Sequence, residues 1–159
     1  MLLACLGMTV GCDAGEAVTP DAINHAKQLW SSAGIRDYEL DWSVTGPNSA
    51  HYVVAVQAGE VRRIDAIQPD GHRVELHPGS PRFFGVDGLF VTISDELAQL
   101  KTEKPFGQPA GTKVVMKFRP DAKLGYPHWY RRDVLGTSQA VTIDVNKFTP
   151  SATPAAPKP

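Results

Sequence analysis

The alternation of apolar and polar positions along the chain predicts a helix, a run of short strands, a second helix and a second run of strands. The first helix is expected over residues 20–33, because Thr19-Pro20-Asp21 offers an N-cap, a first-turn proline and an acid, and Gly34 follows as a stop. Its apolar positions recur at three- and four-residue spacing: Ile23, Ala26, Trp30 and Ala33. One stripe of this helix, including Trp30, is therefore expected to face a core.

From Asp37 the apolar period changes to two, which is typical of a half-buried strand. Turn signals at 46–49, at Gly59-Glu60 and at 69–71 divide the residues that follow into strand-length pieces. This spacing predicts an antiparallel meander of three or four strands.

The second half of the chain follows a similar order. A second helix is expected to end near Lys101, and its apolar stripe comprises Val86, Leu89, Phe90, Ile93, Leu97 and Leu100. Strand patterns follow at 112–119, 127–135 and 139–148. The whole predicts an α+β fold, with an antiparallel sheet of about six or seven strands, two helices packed on one face and water on the other. A single domain is expected over 19–148, followed by a disordered Pro/Ala-rich tail at 149–159.

The composition fits one soluble domain. The 159 residues are 42% hydrophobic and 21% charged, and 16 basic against 17 acidic residues leave a formal charge of −1. This balance indicates neither nucleic acid nor anionic lipid as a partner.

The first twelve residues, MLLACLGMTVGC, differ in character from the rest. An apolar run of about ten residues is too short to cross a bilayer, which takes roughly twenty, but it suits the hydrophobic region of a secretory signal. The run ends in Thr9-Val10-Gly11-Cys12, which resembles the lipobox of bacterial lipoproteins and predicts lipidation of Cys12. Thr9 stands where leucine is usual, and no Lys or Arg precedes the run. An ordinary cleaved signal peptide and a frayed end are the alternatives.

Cys5 and Cys12 are the only cysteines in the sequence. If Cys12 carries the lipid, the mature domain has no free thiol, which excludes thiol catalysis and cysteine-ligated zinc. The expected location is the bacterial cell envelope, either as a membrane-anchored lipoprotein or as a secreted or periplasmic protein.

Several short motifs occur in a characteristic order: Trp30…Ile35-Arg36-Asp37-Tyr38, Val56-Gln57-Ala58-Gly59-Glu60-Val61, the helix after Val86, and Gly125-Tyr126-Pro127…Asp133. Over about residues 23–148 this order resembles the bacterial family of secreted or lipidated proteins catalogued as domain of unknown function 6174. Family members often carry two cysteines near the first hairpin, and this chain has none there. The resemblance implies an envelope location and no established activity.

The sequence shows no convergence of catalytic or metal-ligating side chains. No two of the five histidines have the four-residue spacing of a helical metal pair, and no serine lies in a G-x-S-x-G turn. Asp95 and Glu96 are adjacent on a helix, so they diverge and are expected to face water. The start of the second helix at Val86-Asp87, close to Arg82, offers free N–H groups for an anion, but the sequence has no phosphate-loop motif there. No enzyme activity, cofactor or metal is predicted.

The remaining candidates are aromatic and basic residues, of the types that dominate protein-binding surfaces. They are concentrated in LGYPHWYRRD at 124–133, and the possible partner-binding residues are Arg82, Phe83, Phe84, Tyr126, Trp129, Tyr130, Arg131 and Arg132. Alternation puts Trp129 and Arg131 on one side of a strand and Tyr130 and Arg132 on the other. The alternative to a binding surface is an ordinary strand with one buried and one exposed aromatic.

These observations favour a non-catalytic binding or structural module of the bacterial envelope. Its expected partners are the membrane, through an N-terminal lipid anchor, and an envelope protein, with no role for nucleic acid. The alternative is an inhibitor-like protein that docks a loop and its aromatic strand on an extracytoplasmic enzyme.

Overall fold

The computed structural model describes residues 15–151 and has the α+β architecture that the sequence predicts. Within those residues it contains two α-helices, two short 3-10 turns at Pro81–Phe84 and Pro105–Gly107, and one antiparallel sheet of eight strands. The helices are α1 (Pro20–Ala33) and α2 (Val86–Gln99). The strands are β1 (Glu16–Ala17), β2 (Tyr38–Thr45), β3 (Ala50–Gln57), β4 (Glu60–Ile67), β5 (Arg73–Glu75), β6 (Val114–Pro120), β7 (Pro127–Val134) and β8 (Ala140–Pro150).

The sheet has eight strands, one or two more than the predicted six or seven. The additional strand, β1, is only two residues long, so it has no period that a sequence pattern could show. It pairs antiparallel with β6, opposite Phe118 and Lys117.

The sheet consists of two meanders joined side by side. Its strand order is β1-β6-β7-β8-β2-β3-β4-β5. The first meander, β2 to β5, follows α1, and the second, β6 to β8, follows α2. The last strand of the second meander pairs antiparallel with the first strand of the first, which closes the two halves into one sheet.

Helix α1 has the predicted bounds, and its end groups explain why. The Thr19 side chain accepts a hydrogen bond from the Ala22 N–H at 3.1 Å, and Gly34 ends the helix in the left-handed conformation at φ 63°. Ile23, Ala26 and Trp30 are buried, as the stripe predicts.

One hydrophobic core contains the buried stripes of both helices and one face of the sheet. Tyr38, Leu40 and Trp42 of β2 belong to it, whereas the residues between them do not. The opposite side of the sheet, called the open face below, carries Glu39, Asp41 and the residues in register with them on the other strands.

The loop that leads into β7 lies directly against α1. Gly125 has φ 80°, and a Cβ there would collide with the Ala26 carbonyl oxygen and lie 2.7 Å from the Leu29 Cβ. Only glycine allows this approach, so the close packing of loop and helix fixes where β7 begins.

The domain extends slightly beyond its predicted ends. Pairing of β8 with β2 continues to Thr149 and Pro150, two residues that the composition assigned to the tail, and the Ser151 N–H donates to the Asp37 carbonyl at 2.8 Å. The predicted signal segment at 1–12, with Cys12, and the remainder of the tail lie outside the described residues.

Candidate functional site

Strand β7 divides the candidate residues between the two faces of the sheet. Tyr130 is fully buried in the core, and Arg132 lies on the same side of the strand. Trp129 and Arg131 point to the open face, where they lie opposite Arg119 and Lys117 of β6. On the other side, Trp129 and Arg131 lie opposite Asp144 and Thr142 of β8.

The exposed side of β7 borders a shallow depression of about 360 Å³, called the Trp129 patch below. It is lined by Val115, Lys117, Trp129, Arg131, Asp133 and Leu135. The Leu135 side chain is 46% exposed, and the Arg119 guanidinium lies 5.6 Å from the centre of the Trp129 ring. The patch therefore combines apolar surface with basic groups.

Arg131 and Asp133 form a two-point ion pair within this patch. The Arg131 Nε donates to Asp133 Oδ2 and its Nη2 donates to Oδ1, both at 2.7 Å. The hydrogen bond from Arg131 is the main reason why the pKa of Asp133 lies below its usual value. The pair is solvent-exposed, so it orients the guanidinium more than it stabilises the fold.

The Trp129 ring also contacts the chain just before β1. A Cβ on Gly15 would lie 2.8 Å from the indole Cζ3 atom and 3.2 Å from the Phe118 carbonyl oxygen. Gly15 has φ 69°, so this residue suits both the close contact and the backbone conformation. The patch is thus adjacent to the point where the described chain begins.

On the opposite side of β7, Tyr130 and Arg132 form a largely buried polar cluster with Glu96 of α2, called the Glu96 cluster below. The Tyr130 hydroxyl donates to Glu96, and the Arg132 Nη1 lies 2.9 Å from the same carboxylate. The Arg132 and Glu96 side chains are only 11% and 17% exposed, and the Arg132 guanidinium lies 4.2 Å from the centre of the Phe106 ring. Burial and the neighbouring Glu96 carboxylate raise the pKa of Tyr130 well above its ordinary range.

The prediction that Asp95 and Glu96 both face water was wrong for Glu96. The error came from treating the two adjacent carboxylates as a unit, although they lie about 100° apart around the helix. Glu96 follows Leu89 by seven residues and Ile93 by three, and this helical spacing was the signal that placed it on the buried side.

The loop aromatics lie far from the Trp129 patch. Phe84 packs against Tyr52 at a ring distance of 5.1 Å and accepts a hydrogen bond from the Trp42 indole through its carbonyl, so it belongs to the helix side. Arg82 and Phe83 protrude from the same 3-10 turn, with Phe83 36% exposed. This turn contacts β4, which is four strands from β7, or roughly 19 Å along the sheet.

Tyr126 is a core residue. It is 8% exposed, and its ring stacks on Phe148 at 4.7 Å. Burial, with Asp121 nearby, raises the pKa of its hydroxyl. Of the eight candidates, the half-buried Trp129 and the exposed Arg131 lie together on the open face, Arg82 and Phe83 form an exposed pair, and the other four are largely enclosed.

The start of α2 is already occupied by the protein's own groups. The Val86 N–H donates to the Tyr38 hydroxyl at 3.0 Å, and the Asp87 carboxylate accepts from the Trp30 indole at 3.1 Å. Burial is the main cause that raises the pKa of Tyr38 to about 12. A carboxylate and a protonated phenol beside the first helical N–H disfavour the anion considered from the sequence.

A second cleft, of about 290 Å³, lies between the two helices. Lys27 Nζ lies 3.3 Å from the Ser94 Oγ in this cleft, an arrangement that resembles a nucleophile and its base. However, the Ser94 hydroxyl donates to the Phe90 carbonyl one turn earlier at 2.7 Å. Its proton is therefore engaged in a backbone hydrogen bond of the helix.

No group of three His, Cys, Asp or Glu side chains in residues 15–151 is arranged to hold a metal ion. Over the same residues, no helix combines the length and apolarity needed to cross a membrane.

Comparison of the sequence with protein-family models gave no match, and comparison with curated proteins gave none either. The resemblance described above therefore rests on its short motifs alone.

Proposed function

We propose that this protein is a non-catalytic binding or structural module of the bacterial cell envelope, held at the membrane by a lipid on Cys12. The location is supported by Thr9-Val10-Gly11-Cys12 after an apolar run of about ten residues. The resemblance to the family of secreted and lipidated proteins supports the same location.

The observation that carries the non-catalytic part is that four carboxylates distributed over the sheet and α2 each have a structural partner within the fold. Glu96 is held by Tyr130 and Arg132, and Asp87 by the Trp30 indole. Asp65, buried on the open face, accepts from the Arg63 Nε at 2.9 Å, and Asp41 lies 2.7 Å from the His51 Nε2. Acid-base catalysis needs such groups to converge on a substrate cavity, whereas here they join elements of the fold.

The lipid anchor can be tested by metabolic labelling with radioactive fatty acid in a bacterial host. Label is expected in the wild-type protein and not in Cys12→Ser. Cys5→Ser is the matched control and should keep the label. Equal labelling of wild type and Cys12→Ser would contradict the anchor.

A second candidate function is inhibition of an extracytoplasmic enzyme, and the exposed Arg82-Phe83 turn favours it. This turn packs tightly against α2, since a Cβ at Gly88 would collide with the Phe83 backbone. The Arg82 guanidinium lies 5.1 Å from the centre of the Phe83 ring. A preorganised loop loses little entropy on binding, which is an advantage for an inhibitor.

Capture of envelope proteins on the wild-type protein separates the two candidates. An inhibitor should yield a stoichiometric enzyme complex that inhibits turnover and is lost in Phe83→Ala. Val91→Ala, which removes another exposed apolar side chain on the neighbouring helix, should leave the complex intact. A complex that survives Phe83→Ala would exclude docking through this turn.

A further inference from the structure

The Trp129 patch lies beside the segment that connects the domain to Cys12. Gly15 contacts the Trp129 ring, and only Asp13 and Ala14 separate it from Cys12. Three residue steps span at most about 11 Å, even in a fully extended chain. A lipid on Cys12 would therefore hold this corner of the sheet close to the headgroups.

The charges on the open face are unevenly distributed with respect to this point. Strands β6 and β7 carry Lys117, Arg119 and Arg131 on this face, and Arg131 forms an ion pair with Asp133. Asp144 of β8 lies opposite Trp129. The more distant β2 presents Glu39 and Asp41 on the same face. Basic groups also lie on the distant strands, but Arg63 and Arg73 there both pair with the buried Asp65 carboxylate, and Lys147 lies opposite Asp41. The tethered side thus carries three basic groups against the two acidic groups Asp133 and Asp144, although the formal charge of the whole chain is −1.

The chemistry of the patch matches a membrane surface. Tryptophan side chains favour the headgroup region, and basic side chains are attracted to anionic lipid within a Debye length of roughly 8 Å. Leu135 and Val115 add apolar surface to the same depression. A single lipid chain together with a basic patch is a recognised combination for membrane attachment.

We propose that the Trp129 patch rests on the anionic lipid surface, so that the open face near β6 and β7 is directed toward the bilayer and the helices away from it. This inference rests on the lipid anchor proposed above. It assigns the patch to lipid rather than to a protein partner, and it leaves the Arg82-Phe83 turn, on the helix side, free to meet other molecules.

The tryptophans of this chain provide a selective probe. The sequence contains three, and Trp30 and Trp42 are each 7% exposed in the core. Trp129 is the indole that can reach lipid. Full-length lipidated protein would be reconstituted in phosphatidylcholine vesicles with or without phosphatidylglycerol, and its fluorescence quenched either by brominated acyl chains or by acrylamide in water.

The expected result is stronger quenching by brominated lipid, and weaker quenching by acrylamide, when phosphatidylglycerol is present. Lys117→Gln with Arg131→Gln should reduce the lipid quenching at least twofold. The matched control removes the same charge elsewhere, by Arg62→Gln on β4 and Lys101→Gln after α2, and should leave the quenching unchanged.

Equal lipid quenching with and without phosphatidylglycerol, or equal loss in the two double variants, would overturn the proposal. So would efficient quenching by acrylamide in both vesicle types, which would leave the patch to water or to a protein partner. Vesicle flotation and fatty-acid labelling report on the anchor separately. A protein that is labelled and floats but whose Trp129 stays in water disproves the orientation alone, whereas an unlabelled protein disproves the anchor.

Discussion

The two faces of strand β7 carry the same kinds of side chain, an aromatic ring and an arginine, in opposite environments. On the helix side, Tyr130 and Arg132 share the buried Glu96 carboxylate. On the open face, Trp129 lies beside the exposed Arg131, which pairs with the partly exposed Asp133. The difference shows that residue type alone does not mark a binding surface, because the same pair of residue types supports the core on one side and remains accessible on the other.

The largest expected effect on stability comes from the contact between Gly125 and α1, which fixes where β7 begins. Gly125→Ala should lower the free energy of unfolding by about 3–5 kcal/mol, because the added Cβ collides with α1 and the backbone has φ 80°. Gly71→Ala is the matched control, since it has φ 83° but open space around the Cβ, and should cost only about 1 kcal/mol. Urea unfolding measures both. Equal losses would mean that backbone strain, and not the contact with α1, accounts for the effect.

The next effect compares the two neighbouring arginines directly. Arg132→Ala should cost about 2–4 kcal/mol, because it leaves the Glu96 carboxylate buried beside one remaining partner, Tyr130. Arg131→Ala breaks an exposed pair and should cost less than about 1 kcal/mol. Chemical denaturation of the two variants checks the ranking. A loss for Arg131→Ala as large as that for Arg132→Ala would remove the distinction between the two faces.

The smallest expected effect is a loss of stability at alkaline pH, caused by the buried tyrosines on the helix side of the sheet. The pKa of Tyr38 is about 12 in the folded protein and about 10 in the unfolded chain, so its contribution is fully present below pH 10 and is lost as the pH rises toward 12. Tyr130 shifts in the same direction. The unfolding free energy should therefore fall by about 2 kcal/mol for Tyr38 over this range.

Urea titrations at several pH values between 9 and 12 would measure this slope. Tyr38→Phe and Tyr130→Phe should each reduce it, whereas Trp129→Phe on the open face should not. A slope that is the same in all four proteins would show that these phenols do not control alkaline stability.

Much of the fold follows from local signals in the sequence. The cap residues around α1 and its buried stripe predict the bounds 20–33 that the structure shows. Alternation and turn residues likewise predict the strands from β2 to β8. Strand β1 could not be predicted, because two residues show no period and their pairing with β6 is a long-range contact.

Which side of β7 is buried could be learned only from the structure. Both sides of the strand offer an aromatic and an arginine, so the hydrophobic pattern does not distinguish them. Contacts between distant parts of the chain determine which side of β7 is buried. Gly125 packs on α1, and the Glu96 carboxylate accepts a hydrogen bond from Tyr130 and pairs with Arg132. The grouping of Lys117 with Trp129 also depends on the register of β6 and β7.

If the proposed lipid anchor gathers copies of this protein on a membrane, the shortness of the two outer strands has a consequence for them. Anchored proteins share a thin layer, where the local concentration is high and sheet-to-sheet aggregation is a hazard. Strands β1 and β5 contain only two and three residues, and they offer an approaching chain little backbone to pair with. The part of β4 that β5 leaves uncovered carries Glu60, Arg62 and Arg63, and charged side chains discourage edge-to-edge association. The sheet is thus terminated in a way that suits a crowded surface.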